Sequence, residues 1–554
     1  MPKSDSRLVP SRHVRIPEHS VSPQAPYDIH DLARFYNLPA KLDGRGQKIG
    51  ILLPGGGMAT GDLKTYFETL KLPEPELSIV EVGGAKNQPA RHEDLKRFLL
   101  SIGAGYEGRP RAPYHGSTHG KHAFPEDMQP GSALFDQVTW TYEALCDVEI
   151  AGGTAPGAEL RVYVCENTGK GILQAIERAA RDGVTAINGS WGWSEQSDLG
   201  RQFVDDVNRA LEEAAAQGIT CCFASGDLGS RPGFETGDDR LAVYFPASSP
   251  HALACGGTKI TEAPKKPGGR LLETVWNEAD FTFDGASGGG FSQLNARPSW
   301  QSGPSLEEYP KKGRALPDVA GNAAGSSGVW LWIAGLNTVS FGTSAASPFY
   351  AGLIARLNQA LGSRRFLPPL FYTPQVRRTF RDVVSGSNAK PGLGKEYPAR
   401  AGWDPCTGLG TPDGEALLAA LRDTPATLVQ SDSPEEGERS MTKPQIVKDD
   451  LLIATEDGKI YYVPEKDWKK ASVSAEEAGW LTDELLSRGV TLAAIPESVS
   501  KSANKAAAQS THQAHKHTEA HKHEGDAGEP GGALIACYLV NLSGLRQANP
   551  FEKK

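Results

Sequence analysis

The sequence predicts an α/β protein of subtilisin-like type: a mostly parallel sheet flanked by helices, with a small C-terminal α+β extension and a disordered His-rich segment. Three observations carry the α/β reading. Short continuous apolar runs alternate with helix-length amphipathic segments, the pattern of a sheet covered on both faces. The chain is rich in turn formers, with 62 glycines and 39 prolines in 554 residues, which suits loops between strands and helices better than a helical bundle. It is also long enough for one large core and a satellite.

Taken in order, residues 1–27 form an extended polar segment and a large domain spans 28–423. IGILL (49–53) is a buried strand, followed by Gly55, Gly56 and Gly57 and the amphipathic segment 61–72. Residues 92–135, with scattered charge, histidine, proline and glycine, are expected as a surface insertion. ELRVYV (159–164) is a strand, 171–183 a helix, TAINGSW (185–191) a strand, 203–218 a helix and ITCCFASG (219–226) a strand. Right-handed crossovers put the loops after these strands on one rim, where the sites of such sheets lie. The helix 414–423 closes the domain, and the proline-containing polar stretch 424–446 is a linker.

A small unit is expected over 447–496. DLLIATEDGKIYYVP (450–464) gives two strands around a turn at Asp457-Gly458. Ser474 with Glu477 is a capping box opening a helix over 475–489. Residues 497–530 are low-complexity; their histidines 512, 515, 517, 521 and 523 offer a weak metal tract, but the composition favours disordered filler. Residues 531–554 supply a strand and tail, and ALIACYLVNL (533–542) is expected to return to the 450–464 hairpin.

Net charge of -9 and a pI near 5.9 exclude a nucleic-acid partner by the electrostatic criterion. Seven cysteines are too few for a disulfide scaffold, and adjacent Cys221 and Cys222 read as small buried apolar groups. The N-terminal residues lack an apolar h-region and no run reaches the length of a membrane span. The expectation is a chain with no membrane partner, cytoplasmic by default unless exported by a non-standard route.

The strongest chemical signal is SFGTSAASPFYAGLIARLNQAL (340–361), a Gly-Thr-Ser corner leading into an apolar helix. Gly342 permits a tight backbone, and Ser344 lies near a helix start, with N–H groups nearby for a nucleophile. Pro348 is expected to mark where that helix begins. Read alone, Ser344 could be merely a capping serine. As a nucleophile it needs a base, and two candidates exist. One is HGSTHGKH (115–122), with His115 and His119, in a polar stretch that cannot continue a helix. The other is WTYEALCDVEIAG (140–152), where a spacing of four sets Glu143 and Asp147 on one helix face. Like charges held together raise one pKa, so this pair tends to keep a proton and to serve as base and then acid. The opposing reading is a solvated acidic face. Asp227, just past an apolar strand in FASGDLGS (223–230), can donate to an oxyanion only when protonated. Both carboxyl roles predict an acidic working range.

With these motifs the chain resembles the sedolisins, the serine-carboxyl peptidases of kumamolisin type that share the subtilisin fold. The resemblance covers residues 28–421 through EALCDVE, APGA, NGSWG, ASGDLGS, FPASSPHALACGGT, ETVWN, SGGGFS, LPDVAGNA, FGTSAASP and AGWDPCTGLGTP. It implies an acid-active serine endopeptidase acting on peptides or proteins. Glu143 and Asp147 match the catalytic acids, Asp227 the oxyanion aspartate and Ser344 the nucleophile. It also implies one structural calcium ion, held by the carboxylates of Asp382 and Asp404 and the carbonyls of Val383, Arg400 and Gly402, an oxygen set suited to a hard cation.

There are departures from the family pattern. Phe341 replaces a small residue, Leu53 replaces an auxiliary glutamate, and Tyr244 replaces an aspartate lining the substrate cleft of some relatives, while Trp191 is retained. The usual long N-terminal prodomain has no counterpart here, so three expectations stand: the chain folds unaided, the tail after 446 takes over a folding or inhibitory role, or activity is relaxed. Two other readings stay open: a catalytically silent binding or scaffold protein, and a subtilisin-like peptidase using His115 or His119.

Overall fold

The computed structural model describes residues 26–111, 124–197, 199–232, 240–264, 269–278, 285–389 and 397–424, and three short strands beyond them. Two units divide the chain: Met1–Ser431 with Glu529–Lys554, and Asp432–Gly528. In the second, Leu451–Ala454 and Ile460–Val463 pair antiparallel with Leu451 opposite Val463, which is the hairpin the sequence predicts. The helix expected at 475–489 and the histidine tract lie outside the described residues.

The first unit opens with α1 (Ile29–Phe35), capped reciprocally by Asp28 and Asp31, then β1 (Lys48–Pro54), α2 (Leu63–Leu70) and β2 (Leu77–Glu81). Next come α3 (His92–Ser101), β3 (Gly105–Tyr106) and the long α4 (Ala133–Thr154). The alternating stretch follows as β4 (Glu159–Cys165), α5 (Gly169–Arg181), β5 (Ala186–Gly189), β6 (Trp191–Ser194), α6 (Arg201–Ala216) and β7 (Thr220–Ala224). Beyond it lie β8 (Tyr244–Phe245), β9 (Leu253–Glu262), β10 (Leu272–Val275), α7 (Pro304–Glu307) and α8 (Thr343–Leu361).

The main sheet runs β10-β9-β7-β5-β1-β4-β2, with Val319–Asn322 also on β9. Every pairing in it is parallel except β9 with β10. β1 has β4 on one side and β5 on the other, so the winding reverses there. Crevices at the carboxyl ends of strands beside such a reversal are where ligands bind in open α/β sheets.

Two helices stand apart from the amphipathic ones. Residues 138–154 of α4 and 343–358 of α8 are buried on every face, the signature of helices inside a core rather than on it. They pack against each other, and Gly352 sets how closely: a Cβ there would lie 2.6 Å from the Thr154 Cβ. The Arg356 guanidinium, inserted beside them, donates from Nε to the Thr154 carbonyl at 2.5 Å and from Nη1 to the Pro39 carbonyl at 3.1 Å. The first of these bonds satisfies an orphan carbonyl at the end of α4.

Four expectations need correction. The stretch 92–135 is not a surface insertion throughout: Leu95, Phe98 and Leu99 of α3 are buried in the core, because their spacing gives that helix an apolar face. The strand expected over 185–191 breaks at Ser190 into β5 and β6, which join different sheets. Pro348 lies inside α8, which already begins at Thr343. Finally, Leu534–Ile535 pairs not with the 450–464 hairpin but with β6, Leu534 opposite Gly192 and Ile535 opposite Trp191. The six cysteines among the described residues are buried and unpaired. Among the described residues, no helix is long and apolar enough to cross a membrane.

Candidate active site

The carboxyl ends of β5 and β7 face the start of α8, and α4 passes behind them. This arrangement gathers residues far apart in sequence. Glu143 and Asp147, one turn apart on α4, are each 1% exposed, Asp227 after β7 is 3% exposed, and Ser344 in the first turn of α8 is fully buried. The first-turn amides of a helix have no intrahelical partners and carry the positive end of its dipole. A developing anion beside Ser344 therefore meets a favourable field.

Ser190 joins two of these groups. Its hydroxyl donates to Asp147 Oδ1 at 2.7 Å, and its carbonyl accepts from the Ser344 hydroxyl at 3.3 Å. The Asn188 side chain extends the network, donating to Ser190 Oγ at 3.3 Å and accepting from Ser347 Oγ at 2.6 Å. Pro348 contributes by what it lacks. Having no N–H, it cannot bond the Ser344 carbonyl four residues back, and that carbonyl faces Ser190 Oγ at 3.5 Å.

Burial pushes the Asp147 carboxyl up to about 7, against the Ser190 and Asn188 hydrogen bonds that favour its charged form. Its helix neighbour Glu149 is also buried and is driven well above the usual range by desolvation, although the Trp332 amide donates to it at 3.0 Å. Helix α4 thus carries three buried carboxyls at positions 143, 147 and 149.

Asp227 is fixed against the start of α8. The Thr343 amide and hydroxyl both donate to Asp227 Oδ1, at 2.8 and 2.6 Å, and the Gly226 amide donates back to Thr343 Oγ1 at 3.1 Å. Gly226 has φ +107°, and the Tyr244 ring lies where a Cβ would stand. Both the conformation and the contact require glycine. Gly342, with φ 85°, lets the chain turn into α8. Leu53 is buried, and Trp191 Nε1 donates to the Leu52 carbonyl at 2.9 Å. Phe341 is accommodated in the core at 1% exposure. His115 and His119 lie outside the described residues.

The sequence reading missed Ser190, Asn188, Thr343 and Glu149. All four lie within motifs noticed for other residues. The available signal was polarity inside otherwise apolar buried segments, since a buried polar group is retained where it has partners.

The loops expected to hold calcium meet at one turn. The Gly402 amide donates to Asp382 Oδ2 at 2.7 Å and the Arg400 amide to Asp404 Oδ2 at 2.9 Å. Asp404 Oδ1 accepts from the Cys406 and Thr407 amides, each at 2.9 Å. Burial raises both carboxyls, Asp404 to about 6. Two carboxylates tied to residues 400–404, Asp404 buried and Asp382 exposed, are a donor set that fits a hard cation. Among the described residues no three His, Cys, Asp or Glu side chains gather as a metal cluster.

A parallel sheet with a serine at the head of a buried helix defines the subtilase class, and the Subtilase family model matches residues 128–388. The buried carboxyls on α4 narrow the class. Kumamolisin of Bacillus sp. (strain MN-32) is 38% identical over 413 residues, 73% of this chain and 64% of that protein. Sedolisin of Pseudomonas sp. (strain 101) is 31% identical over 398 residues, 68% and 64% of the two chains. The chain thus spans just under two thirds of these relatives' length. A solved Pseudomonas sedolisin, described as a serine-carboxyl proteinase complexed with two molecules of pseudo-iodotyrostatin, aligns with TM-score 0.56 at 26% identity, covering 72% of this chain and 98% of that one. The chain is thus similar to the sedolisin and kumamolisin-type serine-carboxyl peptidases.

Proposed function

We propose that the chain is a serine endopeptidase that hydrolyses peptide or protein substrates through an acyl-enzyme on Ser344. The observation that carries this reading is the double role of Ser190, whose hydroxyl holds Asp147 while its carbonyl receives the Ser344 hydroxyl. One acid of the pair and the nucleophile meet at one residue.

In this reading Ser344 Oγ attacks the scissile carbonyl carbon and its proton passes to Glu143, with Asp147 orienting Glu143. The negative charge forming on the substrate oxygen is met by the protonated Asp227 carboxyl and first-turn amides of α8. Collapse breaks the C–N bond as Glu143 returns the proton to the leaving amine. Water, deprotonated by Glu143, then attacks the ester, and the same proton goes back to Ser344. The raised Asp147 supports work in acid: below about pH 7 it holds a proton, and the acid pair carries one negative charge or none. Mixed peptides digested by wild type, S344A and E143Q test the reading. Cleavage in acid that both substitutions abolish supports it, and cleavage surviving S344A refutes it.

Calcium belongs to the same proposal. Asp382 and Asp404, with the carbonyls of Val383, Arg400 and Gly402, would hold one ion that ties these loops together. Its role is structural, and no catalytic step passes through it. What supports it is the convergence of two carboxylates on one turn.

A further inference from the structure

The strand β6 leaves Ser190 directly and has β8 on one side. Its other edge can take a further strand beside the residue that contacts both Asp147 and Ser344. An extended chain bound there antiparallel would advance toward Ser190 with each residue, since pairing opposite Gly192 and then Trp191 leads to 190 next. A peptide must be extended to present its carbonyl to a nucleophile, and adding a strand to a sheet edge binds it through main-chain hydrogen bonds with little demand on its side chains.

That position has an occupant from the chain itself. Leu534 stands opposite Gly192 and Ile535 opposite Trp191, antiparallel, and the pair also approaches α4. The direction is that of an extended chain advancing on Ser190. The segment comes from ALIACYLVNL (533–542), the one apolar run after the polar low-complexity stretch. An apolar extended segment is a plausible strand partner; its polar forerunner is not.

We propose that the C-terminal segment around Leu534 and Ile535 is an intramolecular occupant of the peptide-binding edge of β6, held as a substrate would be held. Peptides then bind only to the fraction of molecules whose tail has left the edge, so their apparent affinity is reduced by that fraction. The inference rests on the peptidase reading for its kinetic consequence alone; the occupancy is a binding statement.

The test uses the full chain in an S344A background with two tails, native and doubly substituted Leu534→Pro and Ile535→Pro, which removes whichever of the two N–H groups faces β6. Melting curves confirm that both forms fold. A synthetic peptide spanning residues 530–542, labelled at its N-terminus, is titrated against each and followed by fluorescence anisotropy. Binding about tenfold tighter to the proline form is expected, corresponding to a native edge free about one-tenth of the time, together with loss of binding when the peptide carries the same two prolines. Equal affinity for the two forms, no binding to either, or binding indifferent to prolines in the peptide overturns the proposal. With Ser344 restored, the proline tail should lower KM for peptide substrates by the same factor at unchanged kcat. If neither form hydrolyses peptides, the peptidase reading fails while the anisotropy still decides the occupancy.

Discussion

The Ser190 hydroxyl donates to Asp147 at 2.7 Å while the Ser190 carbonyl accepts from Ser344 at 3.3 Å, so one residue between β5 and β6 links Asp147 to Ser344. The hydroxyl lowers the Asp147 pKa that burial raises. Removing it in S190A should therefore push Asp147 higher still and move the alkaline limb of kcat/KM to higher pH. A loss of about tenfold to a hundredfold in kcat/KM is expected, the scale for groups that orient a functional residue. S190T should restore most of both. A rate loss with an unmoved limb would reduce Ser190 to packing alone.

Glu143 is assigned the proton transfer itself. E143Q keeps the shape and removes the base, and general acid–base contributions are on the order of 10²–10⁴. Steady-state kinetics at the wild-type optimum should show a fall in kcat of at least that size with KM little changed, since no ground-state binding is lost.

Stability should depend on pH in the direction opposite to that of salt-bridged carboxylates. Asp147 is raised to about 7 by burial, and Glu149, Glu195 and Glu273 are raised for the same reason. Between its unfolded pKa near 4 and 7, folded Asp147 binds more protons than unfolded. Its contribution is complete below about pH 4 and is lost as pH rises through 7. The span amounts to at most about 4 kcal/mol for this group at about 1.4 kcal/mol per unit. Melting temperature should fall from pH 5 to pH 8, and D147N should flatten part of that slope.

Much of this was legible in the chain. Continuous apolar runs such as IGILL and ITCCFASG marked strands buried on both faces, and the four-residue spacing of Glu143 and Asp147 marked a shared helix face. Other features were hidden for physical reasons. Ser190 looked like one more residue of an apolar strand, because a strand that changes sheets keeps its apolar composition. Pro348 suggested a helix start, since the sequence does not reveal that another group stands at the carbonyl it leaves free. The 92–135 stretch mixes a core helix with polar residues, and its average composition concealed Leu95, Phe98 and Leu99. The partner of Leu534–Ile535 depended on a long-range pairing that no local pattern encodes.

Helix packing at Gly352 should be sensitive to one methyl group. A Cβ there would stand 2.6 Å from Thr154 Cβ and 3.1 Å from the Ala151 carbonyl, and overpacking of this kind costs about 1–3 kcal/mol. G352A should lower the denaturant midpoint. Because α4 carries Glu143 and α8 carries Ser344, it should also lower kcat more than KM.

Removing calcium should act on stability first. Chelation should lower the melting temperature of the wild type by several degrees, the sign expected when a ligand binds only the folded state. D404N should melt near the chelated wild type and respond little to added calcium. A melting temperature indifferent to chelator would remove the ion from this account.

The central claim is that buried carboxyls, not a histidine, activate Ser344. Its most direct measurement is kcat/KM on a peptide substrate from pH 3 to 8 for wild type, E143Q, S344A and a form with both His115 and His119 replaced by alanine. The account predicts an acidic maximum, retained in the histidine form and absent from E143Q and S344A. A neutral maximum that survives E143Q and disappears with the histidines would contradict it.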